Sequence, residues 1–230
     1  HPDTKVVNAS LGTSALFSAA CDSSTAFSQA LGVAVANLAQ NGTMVFVSSG
    51  NQGSASQIAS PACNSSAIAI GAVWDSDQGS RTFLGCTQQT QTDLPTCFTN
   101  SNSLVALYAP GAFVTSSGST GGLSTFGGTS QASPLTAGCA AALRAEYPNA
   151  TVAQVRAALV ASPAKVTDPK NGMTFARLNC ADARTRLAQA FTINAGLAGG
   201  WYNPSTPGQG LTVDVDATGR FLFAAWFTYE

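Results

Sequence analysis

The sequence predicts an α/β fold in which a parallel sheet carries helices on both of its faces. Short apolar runs of strand type alternate with longer segments of helical period along most of the chain, which is the pattern of a parallel sheet with covering helices. The hydrophobic content of 45% is sufficient for a sizeable core. No continuous apolar run approaches the roughly 18 residues that a membrane span requires.

Five segments have the length and composition of buried strands, and four have the periodicity of helices. The predicted strands cover residues 5–9, 44–48, 67–73, 104–109 and 112–116, with a polar insertion from 74 to about 102. The predicted helices cover residues 23–40, 129–146, 151–161 and 180–190. Pro148 ends the second helix, and a capping box from Thr151 to Gln154 opens the third.

The composition changes near residue 196, where a segment rich in glycine and aromatic residues begins. We therefore expect a main domain at residues 1–192 and an incomplete β module at residues 193–230. The module contains a predicted β-hairpin with a Thr-Gly turn. Its Trp-Tyr-Asn-Pro motif resembles a small β module that is appended to exported bacterial proteins. Trp201 and Tyr202 are expected to form the core of this module rather than a surface that stacks on sugars.

A candidate nucleophile lies in the segment Gly-Thr-Ser-Gln-Ala-Ser-Pro at residues 128–134, which leads directly into a helix. Ser130 is thereby placed at a helix N-terminus, whose free N–H groups and positive dipole end favour negative charge. The segment resembles the motif Gly-Thr-Ser-Met-Ala-x-Pro-His of the subtilisin-like serine peptidases (subtilases), with Gln131 for Met and Leu135 for His. The resemblance implies that Ser130 is the catalytic nucleophile. A Gly-x-Ser-x-Gly elbow is excluded by Ala132.

A second motif agrees with this assignment. The strand at 44–48 is followed by Ser-Gly-Asn-Gln-Gly, and subtilases carry an oxyanion-stabilising asparagine in a similar segment. The resemblance implies that the Asn51 side-chain amide and the Ser130 backbone N–H stabilise the oxyanion of the tetrahedral intermediate together. Without Ser130 downstream, Asn-Gln-Gly would indicate no more than a turn.

A third motif, Val-Val-Asn-Ala-Ser-Leu-Gly at residues 6–12, resembles the subtilase strand whose end pairs with the substrate. Extended peptides bind such strand ends through main-chain hydrogen bonds, and side-chain pockets add specificity. The substrate-binding residues that the resemblance implies are Ser10, Leu11, Gly12, Ser49 and Gly50.

A serine nucleophile needs a base to accept its proton and a carboxylate to orient that base. The sequence contains one histidine, His1, whereas the catalytic histidine of subtilases lies far upstream of the strand that resembles 6–12. Asp3 and Asp22 do not lie in a catalytic aspartate motif. We therefore expect the catalytic Asp and His to lie outside these 230 residues. The chain would then be the C-terminal two-thirds of a catalytic domain and would be inactive by itself.

Six cysteines form an even set without a Cys-x-x-Cys pair, which argues against a zinc site and is typical of disulfides in an exported protein. Three pairings are considered: Cys86–Cys97, Cys21–Cys63 and Cys139–Cys180. The first pair flanks a polar loop and is expected to close it. The second can form because both cysteines follow predicted parallel strands. The third pair follows only by elimination, and two buried free thiols are an equal alternative.

The net charge of −1, with Lys and Arg scattered singly, indicates no nucleic-acid partner. Serine peptidase chemistry needs no cofactor. The resemblance allows a structural calcium ion, but no acidic cluster has the spacing that would place it. The resemblance implies a three-layer subtilisin-like fold and a secreted (extracellular or periplasmic) serine endopeptidase that acts on proteins or peptides. The alternative is a secreted binding or adhesion protein on a degenerate subtilase fold, which the presence of both Ser130 and Asn51 disfavours.

Overall fold

The computed structural model describes residues 3–189, 198–202, 208–216 and 221–228. Within it the chain divides into two compact units, His1–Ala188 and Gln189–Glu230. The predicted domain boundary between residues 192 and 193 lies outside the described residues, as does the predicted Thr-Gly turn at 218–219.

The first unit contains the helices and most of the strands among the described residues. Its strands are β1 (Val6–Ala9), β2 (Leu16–Phe17), β3 (Met44–Ser48), β4 (Ile58–Ala59), β5 (Ile68–Trp74), β6 (Ser80–Phe83), β7 (Cys86–Gln89), β8 (Val105–Ala112), β9 (Val114–Ser117), β10 (Leu123–Phe126), β11 (Lys165–Thr167) and β12 (Thr174–Arg177). Its helices are α1 (Ala26–Gln40), α2 (Thr129–Glu146), α3 (Val152–Val160) and α4 (Cys180–Ala188).

The central sheet has six strands in the order β1-β3-β5-β8-β12-β11. All neighbouring pairs are parallel except β11 with β12, which is antiparallel. The predicted α/β class is therefore confirmed. The two strands after α3 were not predicted, because segments of three and four residues with polar ends carry too little periodicity.

Helices cover both faces of this sheet, as predicted. On β3, Met44 and Phe46 face one core while Val45 and Val47 face the other, because successive side chains of a strand point to opposite sides. The helices α2, α3 and α4 pack on the first face and α1 packs on the second. A sheet buried on both faces explains why β3 and β5 are continuous apolar runs.

Local capping sets the start of two helices. The predicted first helix begins at 23, but α1 begins at Ala26, since Thr25 and Ser28 form a capping box in which each side chain accepts the backbone N–H of the other, both at 3.0 Å. The predicted capping box of α3 is present between Thr151 and Gln154.

Between residues 74 and 112 the strands differ from the prediction in two ways. The strand predicted at 104–109 continues to Ala112, although Pro110 and Gly111 are poor strand residues. Pairing with β5 carries it further, through a register shift between Val73 and Trp74. The polar insertion after β5 is not wholly irregular, because β6 and β7 form an antiparallel hairpin within it.

All six cysteines are paired, and the described residues contain no free thiol. The bridges are Cys21–Cys63, Cys86–Cys97 and Cys139–Cys180. The third bridge joins α2 to the start of α4, so the alternative of two buried free thiols is wrong.

The second unit is a three-stranded antiparallel sheet in the order β13 (Gly199–Tyr202), β14 (Gln209–Val215) and β15 (Leu222–Thr228). The pairing of β14 with β15 confirms the predicted hairpin. The expectation that Trp201 belongs to a core is wrong, since its exposed fraction is 54%. The side chain of Tyr202 lies outside the described residues. No helix in the described part of the chain is long and apolar enough to cross a membrane.

Candidate active site

Ser130 lies in the first turn of α2, at the carboxyl ends of the parallel strands. Small buried residues on α2, among them Ala132, Ala137 and Ala140, belong to the core on that face of the sheet. The turn before the helix is held by Gly128, whose N–H donates to Gly111 O at 2.8 Å. Since the loops after β1 and β3 also emerge at this edge, segments far apart in sequence meet at Ser130.

Asn51 contacts the residue immediately before the candidate nucleophile. Its Oδ1 accepts hydrogen bonds from the backbone N–H of Thr129 at 2.9 Å and from Thr129 Oγ1 at 2.8 Å. The Gly50 N–H donates to the same Thr129 hydroxyl at 3.2 Å. Thr129 is fully buried, so these bonds fix the loop after β3 against the start of α2. Among the described residues, Asn51 Nδ2 has no hydrogen-bond acceptor, and its N–H groups are available to a ligand.

Two nitrogen donors lie near one point beside Gly128. A methyl group on Gly128 would lie 3.3 Å from Asn51 Nδ2 and 3.6 Å from the backbone nitrogen of Ser130. The Ser130 N–H is one of the first four in the helix, which have no intrahelical acceptor. Gly128 also has a φ of +149°, which residues with a side chain rarely adopt. An anion near this point would be stabilised by both donors and by the helix dipole once Gln131 Oε1, 3.0 Å from the same point, has moved away.

Gln131 is a site residue that the sequence analysis named only as a departure from the motif. Its Oε1 is buried without a partner among the described residues and would lie 3.0 Å from the same methyl position. It also lines a cavity of about 340 Å³ between the β9–β10 hairpin and α2. The cavity walls include Val114, Phe126, Ser130, Gln131, Pro134 and Leu135. In the sequence, only its position next to Ser130 indicated that Gln131 belongs to the site.

A hydrogen bond of the Ser10 hydroxyl joins the end of β1 to the first turn of α2. Ser10 Oγ donates to Ser130 O at 2.8 Å. That carbonyl would normally accept from the residue four positions later, but Pro134 has no N–H. Beside it, Ser133 Oγ donates to Asn8 Oδ1 at 2.7 Å. The Ser10 side chain is thus engaged within the protein, and its role toward a substrate stays a prediction.

The other predicted substrate-binding residues lie at the same sheet edge. Leu11 is 62% exposed, directly after the Ser10 contact. Ser49 is fully buried, with its hydroxyl on Asn100 O at 2.8 Å, and Gly50 has a φ of +107°. Gly12 adjoins the Ala59 methyl, which would contact a Cβ at that position. The structure therefore brings these five residues to the edge that carries Ser130 and Asn51, and their contacts with a substrate remain to be tested.

A buried polar network supports the loops behind the site. Tyr108 OH lies 2.8 Å from Ser101 Oγ and 2.9 Å from Asp168 Oδ2, and Lys170 Nζ lies 2.9 Å from the same carboxylate. Burial, and then the negative charge of Asp168, raises the pKa of Tyr108 far above its ordinary value. Burial also lowers the pKa of Lys170, which hydrogen bonding to Asp168 partly opposes. Asn171 Nδ2 donates to Ser101 Oγ at 2.9 Å and completes the network.

The described residues contain neither a histidine base nor a cluster of metal ligands. His1, the one histidine of the sequence, lies outside the described residues. Within the described ranges, no group of three or more His, Cys, Asp or Glu side chains could hold a metal ion.

Known serine proteases are similar in sequence to part of this chain. A subtilisin-like serine protease of Penicillium rubens is 37% identical over 119 residues, which are 52% of this chain and 26% of that protein. An extracellular serine proteinase of a Thermus strain is 33% identical over 162 residues, which are 70% of this chain and 33% of that protein. The chain thus spans about a quarter to a third of the length of these relatives.

Solved structures and a family model extend the match. The structure of the prenylagaramide maturation protease PagA superimposes with a TM-score of 0.64 and 24% identity, covering 82% of this chain and 64% of that one. At that identity the likeness shows the fold. The model of the subtilase family matches residues 2–179. These residues include the whole central sheet and every residue of the site, and the chain therefore belongs to the subtilase family.

Proposed function

We propose that this chain supplies the nucleophile and the oxyanion hole of a secreted serine endopeptidase. Ser130 Oγ attacks the carbonyl carbon of the scissile peptide bond. The resulting oxyanion accepts hydrogen bonds from Asn51 Nδ2 and the Ser130 N–H, and the amine leaves to give an acyl-enzyme on Ser130 that water hydrolyses. The observation that carries the proposal is that Asn51 Nδ2 and the Ser130 nitrogen lie 3.3 and 3.6 Å from one point beside Gly128, from which Gln131 Oε1, now 3.0 Å away, must move when an oxyanion forms.

Ser130 must transfer its proton to a base when it attacks. The one histidine of the sequence is His1, which we do not expect to be that base. We therefore propose that the catalytic histidine and aspartate come from residues that precede this chain in the complete gene product. The cavity beside Ser130 and Gln131 leaves room next to the nucleophile. The cavity is large enough to admit further side chains or the leaving group.

Secretion is part of the proposal. Three disulfides lie within the first unit, and disulfides persist in oxidising compartments. The Thermus relative is named as an extracellular proteinase. Protein or peptide substrates follow from the peptidase family, and the Ser10–Gly12 and Ser49–Gly50 segments are proposed to pair with the substrate backbone.

The test is covalent labelling of the complete gene product with a fluorophosphonate. Labelling should occur at Ser130 and disappear in Ser130→Ala, while Ser124→Ala, which removes another serine of the same cavity, should still be labelled. Labelling that survives Ser130→Ala would refute the assignment. A complete product that is neither labelled nor active on casein would favour the binding or adhesion alternative.

The isolated chain gives a second test. Without a base, oxyanion stabilisation and binding alone leave only about 10³- to 10⁴-fold catalysis over water. The 230-residue chain should therefore show no peptidase activity above its Ser130→Ala variant. Serine-dependent turnover would mean that a base lies within these residues.

A further inference from the structure

Asn100 is a buried residue that uses every one of its polar groups on the loop around Asn51. Its exposed fraction is 0%. Its N–H donates to Gly50 O at 2.9 Å, and its O accepts from Ser49 Oγ at 2.8 Å. Its Oδ1 accepts from the N–H groups of Gln52 at 3.0 Å and Ser54 at 3.1 Å. Its Nδ2 donates to Ser49 O at 3.3 Å and to Gln52 Oε1 at 2.6 Å.

These partners lie on both sides of Asn51, whereas Asn51 itself has no hydrogen bond to Asn100 among the described residues. Residues 49–57 form no helix or strand, so the loop has no ladder of its own to hold its shape. Asn100 supplies the missing partners, accepting two backbone N–H groups after Asn51 and donating to two backbone carbonyls before it. The fit is close, because a Cβ on Gly50 would lie 2.3 Å from Asn100 Nδ2.

Asn100 is itself held from behind. The next residue, Ser101, donates its N–H to Ser54 O at 2.9 Å, and its hydroxyl belongs to the network of Tyr108, Asp168 and Asn171. The loop around Asn51 therefore rests on a buried and fully hydrogen-bonded support. Groups that are fixed before reaction stabilise a developing charge without the cost of reorganisation.

We propose that Asn100 is a positioning residue for the oxyanion hole, which sets the direction of the Asn51 amide and acts on the reaction only through it. The inference rests on the proposed function of Asn51. A small displacement of an oxyanion donor weakens its bond to the transition state more than to the bound substrate. Loss of Asn100 should therefore lower kcat while leaving KM nearly unchanged.

The test is a double-mutant cycle in the complete gene product. Asn100→Ala should lower kcat by about 10- to 100-fold with KM changed by less than about threefold. In the Asn51→Ala background the same substitution should change kcat by less than about threefold, because two residues that act through one contact are not additive.

A matched control separates positioning from general loss of stability. Asn64 is also buried, at 2% exposure, and donates to Ser28 O at 3.1 Å, away from the loop. Asn64→Ala should lower the melting temperature in the manner of Asn100→Ala but leave kcat unchanged. If Asn100→Ala does not fold, Gln52→Ala replaces it, since Gln52 is exposed and its Oε1 contacts Asn100 directly. It should show a smaller kcat loss that also disappears in the Asn51→Ala background.

The outcomes distinguish the inference from the proposed function. A normal kcat in Asn51→Ala would remove the proposed oxyanion role itself. A reduced kcat in Asn51→Ala, together with an Asn100→Ala effect that is equal in both backgrounds or that appears in KM, would overturn the inference alone. Hydrogen exchange gives a readout without turnover, since Asn100→Ala should speed exchange of the Gln52 and Ser54 amides and Asn64→Ala should not.

Discussion

The two polar atoms of the Asn51 side chain have separable tasks, and substitution can separate them. Oδ1 accepts from the buried N–H and hydroxyl of Thr129, whereas Nδ2 lies beside Gly128, 3.3 Å from where a methyl group on that residue would be. Asn51→Ala removes both atoms. Asn51→Asp keeps an acceptor for Thr129 but has no donor, and it adds a negative charge where an oxyanion would form.

The expected magnitudes follow from these contacts. In Asn51→Ala the Thr129 N–H, in a fully buried residue, loses its acceptor, which should cost about 1–3 kcal/mol of unfolding free energy. In Asn51→Asp that acceptor remains, so unfolding free energy at neutral pH should change by less than about 0.5 kcal/mol. Both variants should lower kcat by at least about 100- to 1,000-fold with little change in KM, which is the range known for loss of such a donor in a subtilisin.

Stability is measured by urea unfolding of the chain, and kcat and KM by hydrolysis of a fluorogenic peptide by the complete gene product. The two variants should differ in unfolding free energy and should lose kcat to a similar extent. Equal destabilisation by Ala and Asp would refute the assignment of Oδ1 to Thr129. A near-normal kcat in either variant would mean that Asn51 is a turn residue without a catalytic role.

Three further predictions concern stability, and each is measured by urea unfolding. Ser10→Ala should lower the unfolding free energy by about 0.5–1.5 kcal/mol, because the Ser130 carbonyl loses the hydroxyl that replaces a helical N–H. Replacing Cys139 and Cys180 together by Ala should cost about 4 kcal/mol in the chain-entropy model, given a sequence separation of 41 residues. Tyr108 keeps its proton in the folded state above its ordinary pKa, whereas the unfolded state releases it. The folded state then binds more protons, so stability should fall as the pH rises above about 10. Tyr108→Phe should remove that part of the slope.

Each of these three has a contrary outcome. An unchanged midpoint in Ser10→Ala would mean that water satisfies the carbonyl equally well. Free thiols detected at Cys139 and Cys180 in the oxidised native chain would contradict the bridge. An identical alkaline slope in wild type and Tyr108→Phe would assign that slope to other groups.

The fold class followed from the sequence because burial on both faces imposes a local pattern. The strands β3 and β5 are buried at every position, with Ser48 as their one polar residue, and α1 and α2 are long enough to show their period. Ser130 and Asn51 could be named because each lies in a short motif whose chemistry depends on neighbours in the chain. The strands β11 and β12 were missed for the opposite reason. They are short, and they are strands because β8 offers a partner to β12, which in turn offers one to β11.

By itself, the sequence determined the α/β class and the closure of the loop between Cys86 and Cys97, and it singled out Ser130 and Asn51 as the candidates for the nucleophile and the oxyanion donor. Those features depend on side-chain period and on residues near one another in the chain. Only the tertiary structure decided that Asn51 Oδ1 binds Thr129, across 78 positions, and that Asn100 supports the loop around Asn51 from 48 positions away. Such contacts are set by which strand ends meet at one edge of the sheet, and hydrogen-bond partners brought together by strand order leave no periodic or local trace in the sequence.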